Sequence, residues 1–190
     1  IIRVKTLNLT SSMEVLTLTQ TNIIINEVNQ INNNNLENNI LKFAKRLSDD
    51  VTDTRYEDFN FSFTNDFKNL IEKINTDYKK AFKRQLNLVN FWSQIHEYNE
   101  STNLHNHCDV SNLYNSPDLS GVYYVKVPEK SGKIVFEYPI NQYQVKRYFV
   151  NPIVGRYILF PSTLNHFVTK NKSKENRISI SFNFKTENIS

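Results

Sequence analysis

From about Leu86 onward the chain is written in short β-rich runs separated by turn residues, and no helical stripe recurs. Candidate strands are Leu88 to His96, Gly121 to Val127, Lys133 to Tyr138, Val145 to Val150, Arg156 to Phe160, Asn165 to Thr169 and Arg177 to Phe184. Asp118, Pro128 with Ser131 and Gly132, Pro139, Asn151 with Pro152, Gly155 and the segment 171–176 punctuate them. Many short strands at even spacing predict a mainly β fold, either a barrel or a double-sheet jelly roll, with α-helices flanking it.

The helices are expected before that point. Val15 to Ile25 reads as strand-like and then helical, and the Asn-rich stretch Asn32 to Asn35 follows as a connector or helix cap. Leu36, Ile40, Phe43, Ala44 and Leu47 fall three or four apart, which puts them on one face of a helix ended by Ser48, Asp49 and Asp50. In a second helix, Thr64 is a cap and Phe67, Leu70, Ile71, Ile74, Tyr78 and Phe82 form an apolar stripe suited to packing on a sheet. A length of 190 residues suits one domain. Residues 1–87 would supply the N-terminal strand and supporting helices, and 88–185 the jelly-roll core.

Composition narrows the function classes. A hydrophobic fraction of 39% with 13% aromatics offsets the entropy of ordering, so a disordered chain is excluded. The net charge of +4 is spread along the sequence and makes no nucleic-acid platform. With one cysteine, Cys108, no intramolecular disulfide can form, which together with the lack of any apolar run of membrane-spanning length leads to the expectation of a soluble, cytoplasmic protein. Nothing in the residues predicts an oligomeric state.

Four histidines are present. His105 and His107 lie two apart in Asn103-Leu-His-Asn-His-Cys-Asp109, and His166 stands alone near a later strand. Residues two apart on a strand share a face. A His-x-His or His-x-Asp pair completed by a distant histidine places three ligands on one side of a metal and leaves the other positions open, the facial arrangement of non-haem iron oxygenases. Eleven residues after His166 comes Arg177, on a strand reading Arg-Ile-Ser-Ile-Ser-Phe-Asn-Phe. Arg177, Ser179, Ser181 and Asn183 share one face, with Ile178, Ile180, Phe182 and Phe184 on the other. A guanidinium fork beside a metal is suited to grip the far carboxylate of a dicarboxylic acid, with the Ser179 hydroxyl as a second donor.

These features resemble the 2-oxoglutarate/Fe(II) oxygenases of the prolyl-hydroxylase-like kind, in particular a set of bacterial and phage members. The resemblance runs from about Trp92 to Phe184. It is carried by His105-Asn-His107, Leu119-Ser-Gly-Val-Tyr-Tyr-Val125, Gly132-Lys-Ile-Val-Phe136, Gly155-Arg-Tyr-Ile-Leu-Phe-Pro161 leading to His166, and Arg177-Ile-Ser-Ile-Ser-Phe-Asn183. It implies a double-stranded β-helix, Fe(II) and 2-oxoglutarate as cofactors, O2 as co-reactant, and hydroxylation of a small-molecule or peptide substrate with release of succinate and CO2. It also implies a tyrosine contact to the cosubstrate from Tyr124 or its neighbour Tyr123. Relatives commonly carry His-x-His with a shorter gap before the Ser-Gly-Val-Tyr-Tyr strand, whereas here Val110 to Pro117 intervene. Two ligand sets therefore stand open. His107, Asp109 and His166 is preferred, because a carboxylate lowers the charge of the iron site; His105, His107 and His166 competes with it. The other functions to be separated are a cupin-like metalloenzyme that does not use 2-oxoglutarate and a catalytically silent jelly-roll binding module. The direction of Arg177 separates them: into the barrel for a dicarboxylate, towards solvent otherwise.

Overall fold

A computed structural model describes residues 21–43, 45–46, 55–57 and 64–188. The expected roles of Ala44, of 47–50 and of the first part of Val15 to Ile25 fall outside those residues.

The two helices form where apolar spacing and caps coincide. Helix α1, Asn33–Phe43, starts after Asn32, whose side chain accepts from the Asn35 N–H at 3.1 Å, and it buries Leu36 and Ile40 completely. Helix α2, Asn65–Phe82, is capped by Thr64, whose hydroxyl accepts from the Phe67 N–H at 3.3 Å, and it ends at Lys83 in a left-handed conformation. Its buried face is Phe67, Leu70, Ile74 and Tyr78, as the spacing predicts; Phe82 remains exposed.

The strands are β1 (Ile24–Glu27), β2 (Lys45–Arg46), β3 (Arg55–Glu57), β4 (Arg84–His96), β5 (Thr102–His105), β6 (Leu119–Lys126), β7 (Ile134–Asn141), β8 (Gln144–Val150), β9 (Arg156–Pro161), β10 (Asn165–Val168) and β11 (Arg177–Asn188). They build an antiparallel seven-stranded sheet in the order β1-β9-β6-β11-β4-β3-β2 and a four-stranded sheet in the order β5-β10-β7-β8. The architecture is a double-stranded β-helix, or jelly roll, with α1 and α2 on its outside. Among the described residues no helix is long and apolar enough to cross a membrane.

Strand periodicity divides the interior in two. Tyr123, Val125, Ile178, Ile180, Phe182 and Phe184 pack with both helices in one apolar cluster. Val122, Tyr124, Ile158 and Phe160 from the larger sheet meet Ile134, Phe136, Leu164 and Val168 in a second. The larger sheet is thus covered on both sides, which explains why β11 is buried from Arg177 to Phe184 although half of those residues are polar. The polar half faces the space between the sheets.

Gly121 lies in β6 where no side chain fits. A Cβ there would approach Phe182 Cε2 at 2.3 Å, Leu159 Cδ2 at 2.7 Å and the Ile158 carbonyl oxygen at 2.8 Å. The carbonyl belongs to the neighbouring strand and Phe182 is fully buried, so neither can easily yield. A Gly121→Ala variant is expected to lose roughly 1–3 kcal/mol of stability through overpacking. Chemical denaturation would read this as a lower midpoint at unchanged slope.

Candidate metal and cosubstrate site

Three of the four histidines converge. His166 on β10 is the cross-strand partner of His105 at the end of β5, and also pairs with Phe136 on β7. The chain leaves the strand after His105, and His107 is held instead by its N–H donating to the Ser162 carbonyl at 2.9 Å. A second tie joins Asn106 to Asn165, side chain to side chain, at 2.9 Å. The rings of His107 and His166 stack in parallel, 5.1 Å apart, with Phe160 edge-on to His166 and Trp92 stacked on His107 at 5.5 Å. One potential ligand atom from each of His105, His107 and His166 lies within 4.8 Å of the others, and this is the sole such metal-binding group of three among the described residues.

Hydrogen bonding prepares two of these rings for a cation. His105 Nδ1 lies 2.8 Å from the Asn103 carbonyl and His166 Nδ1 lies 3.0 Å from the Leu164 carbonyl. A neutral imidazole must donate in such a bond, so the proton resides on Nδ1 and the Nε2 lone pair is left for coordination. Burial, with a smaller electrostatic contribution from neighbouring His105, lowers the His107 pKa to about 4, and burial together with the same neighbour lowers that of His166 to about 3. Both are neutral near pH 7, the form that binds metal. The two Nε2 atoms face each other at 3.3 Å. Metal–imidazole bonds of about 2 Å set adjacent ligands roughly 3 Å apart, so this spacing suits two positions on one ion.

Asp109 is engaged elsewhere. Its carboxylate accepts from the Ser111 N–H at 2.9 Å, the Ser111 hydroxyl at 2.5 Å and the Asn112 N–H at 3.2 Å, while its own N–H donates to the Ser116 hydroxyl at 2.7 Å. The Ser111 bonds, chiefly, hold its pKa below the usual carboxylate range. This is an Asx turn that organises the 110–117 loop, and the carboxylate takes no part in the histidine cluster. Of the two residues weighed as companion to His107 and His166, His105 is the one brought beside them. Cys108 is half-buried between these residues.

Arg177 faces inward. It is 1% exposed and lines the same cavity as all three histidines, together with Ser179, Tyr124, Trp92 and Gln94. Its Nη1 donates to the Ser131 carbonyl at 3.1 Å and its Nη2 to His96 Nδ1 at 2.8 Å, whereas its Nε–H has no partner. Among the described residues no carboxylate pairs with it. Burial lowers its pKa to about 10, which still leaves it charged, and burial raises that of Tyr124 to about 12. Tyr123 points the other way, with its hydroxyl donating to Asn33 on α1 at 2.8 Å.

The sequence model of a family described as "Putative 2OG-Fe(II) oxygenase" matches residues 90–183, the span that contains every residue of this cavity. Over these residues the chain belongs to the 2-oxoglutarate/Fe(II) oxygenases. No curated sequence matches this oxygenase. Among solved structures, its fold is similar to a prolyl-4-hydroxylase from Pseudomonas putida (11% identity, 88% of this chain and 93% of that one, TM-score 0.60). It is similar also to a prolyl hydroxylase from Trichoplax adhaerens in complex with a hypoxia inducible factor peptide fragment (13% identity, 86% and 83%, TM-score 0.61). A third likeness is to SnoN, an α-ketoglutarate-dependent epimerase of nogalamycin biosynthesis (13% identity, 88% and 80%, TM-score 0.65). At such identities the likeness is one of fold.

Two residues escape a reading based on ligand motifs, namely Trp92, which lines the cavity, and His96, which lies behind its lining residues Arg177 and Thr102. A signal for both exists in the sequence. Trp92, Gln94 and His96 alternate on β4 as Ser181, Ser179 and Arg177 do on β11, and the register pairs them one to one.

Proposed function

We propose that the protein is an Fe(II)/2-oxoglutarate-dependent dioxygenase in which His105, His107 and His166 hold the iron and Arg177, Ser179 and Tyr124 receive 2-oxoglutarate. The observation that carries this reading is the buried guanidinium of Arg177, which has a free N–H and no carboxylate partner, in the same cavity as three convergent imidazoles. A buried charge without a counter-charge costs several kcal/mol, about 3–5 by the usual measure of a broken buried pair. A dicarboxylate that chelates the metal through one end supplies that counter-charge through the other.

The residues then divide the work. The Nδ1–H bonds to Asn103 and Leu164 orient the His105 and His166 rings, and Phe160 and Phe136 exclude water beside His166. Arg177, with the Ser179 hydroxyl on the same face of β11, fixes the distal carboxylate, and Tyr124 closes the wall next to it. Bound iron and cosubstrate supply the oxidation, one oxygen of O2 leaving in succinate as CO2 is released and the other entering the substrate as hydroxyl. Substrate selection we assign to the loop after His107, where Val110, Leu113 and Tyr114 are 90%, 70% and 93% exposed. Such an apolar rim suits a small molecule or a peptide, and one structural relative is bound to a peptide fragment. A cupin-like enzyme without 2-oxoglutarate gives no account of a buried Arg177 that no carboxylate among the described residues neutralises.

Trp92 provides a test. It is the single tryptophan of the chain and stacks on His107, so anaerobic Fe(II) should quench its emission and saturate at one equivalent. In air the loaded protein should slowly convert 2-oxoglutarate to succinate without added substrate. If emission stays constant and no succinate forms, the proposal is wrong.

A further inference from the structure

His96 is as deeply buried as any residue of the chain, yet it belongs to neither the metal cluster nor the apolar core. Its ring bridges two elements. Nδ1 accepts from Arg177 Nη2 at 2.8 Å, and Nε2 lies 2.9 Å from the Thr102 hydroxyl on β5. A guanidinium has no lone pair, so the bond to Arg177 requires one on Nδ1. The neutral ring must then carry its proton on Nε2 and donate it to Thr102. We propose that His96, fixed in this tautomer, is a positioning residue that aims the Arg177 fork and so sets the preference of the site for a 2-oxo acid with a distal carboxylate.

Several observations support the assignment. Arg177 and His96 are directly opposed on β11 and β4, so the contact is set by sheet register. The buried Asn171 side chain donates to the His96 carbonyl at 2.8 Å and to the Glu175 carbonyl at 2.9 Å, which pins the backbone at both ends of the pair. With Nη2 committed to His96 and Nη1 to the Ser131 carbonyl, rotation of the guanidinium about its long axis is restrained while the Nε–H stays available. Burial, and then the Arg177 charge, push the His96 pKa well below the usual histidine range, in keeping with a permanently neutral acceptor. Thr102 lies on the strand that ends in His105, so the same chain of bonds ties the anchor to the strand bearing a proposed metal ligand.

The inference rests on the 2-oxoglutarate reading, and the test keeps the two apart. Anaerobic Fe(II)-loaded protein is titrated with 2-oxoglutarate and with 2-oxopentanoate, which has a methyl group where the distal carboxylate would be. Wild type should bind the dicarboxylate far more tightly. His96→Phe, which fills the space but offers no lone pair, should weaken 2-oxoglutarate about tenfold, in line with loss of one hydrogen bond to a charged group, and leave 2-oxopentanoate within about twofold. His96→Asn, whose amide oxygen can accept from Arg177, should recover most of the loss. If His96→Phe does not fold, Thr102→Val removes the outer partner and should lower the same selectivity by a smaller factor. Unchanged selectivity in the variants, or equal weakening of both acids, overturns the positioning role alone. A wild type with no preference between the acids overturns the cosubstrate reading and this inference with it.

Discussion

An Arg177→Leu variant is expected to keep its iron and lose 2-oxoglutarate. Leucine fills part of the space and carries neither charge nor donor, so the distal carboxylate would enter an apolar wall with nothing to replace its hydration. Truncating one member of a buried charge pair costs about 2–5 kcal/mol, which corresponds to a roughly 30- to 4,000-fold rise in the cosubstrate Kd. Stability should behave differently from that of an ordinary core truncation. The guanidinium is buried without a carboxylate, and exchanging an uncompensated charge for an apolar group relieves its desolvation. Against that, the Ser131 carbonyl and His96 Nδ1 lose their donor. The apo variant should therefore melt close to wild type while the increase in melting temperature on adding 2-oxoglutarate disappears. Arg177→Lys separates charge from shape: an ammonium cannot reproduce the planar fork, so affinity should fall to an intermediate value. An Arg177→Leu protein that binds 2-oxoglutarate as wild type does would show that the anchor lies elsewhere.

Much of this site was legible because β-strands have a rigid period. The alternation in Arg177-Ile-Ser-Ile-Ser-Phe-Asn-Phe predicts a polar face and an apolar face, and the structure gives the first to the space between the sheets and the second to the helices. Thr64 and the stripe from Phe67 to Tyr78 predict helix α2, since a cap and a 3.6-residue period agree. The limits have equally physical causes. β2, β3 and β5 span two to four residues, too few for a period to register, and they exist through pairing with distant strands. Strand parity also fails just past His105, where β5 ends, so it cannot choose between His105 and Asp109 as the companion of His107. Local turn chemistry bears on that choice and underlies the proposed His105 ligand. In Asp109-Val-Ser-Asn112 an aspartate followed by Ser and Asn forms an Asx turn, and the carboxylate spends its acceptors on Ser111 and Asn112. His96 needed the register between β4 and β11, which lies 81 residues away along the chain and is fixed by the fold.

The triad is where a single substitution should have its largest effect. In the proposed site each of His105, His107 and His166 supplies one of three protein ligands, so exchange of any one for alanine is expected to weaken Fe(II) by at least about 10²-fold, since even outer partners of metal ligands cost 10- to 100-fold when removed. Asp109→Ala should leave iron affinity within a few-fold of wild type and act instead on the 110–117 loop, whose turn it holds. Protons should compete little. The pKa values of about 4 and about 3 at His107 and His166 mean that both stay neutral as pH falls through the usual histidine value of about 6.5, and protonation opposes the metal at these two ligands only in acid below that range.

The decisive measurement is the visible charge-transfer band that an Fe(II) chelate of 2-oxoglutarate displays under anaerobic conditions. Three imidazoles and one guanidinium sharing a cavity predict the band in wild type and in Asp109→Ala, and its loss in His105→Ala and in Arg177→Leu. A band that persists in His105→Ala and vanishes in Asp109→Ala, or one that wild type never develops at saturating cosubstrate, would contradict the site described above.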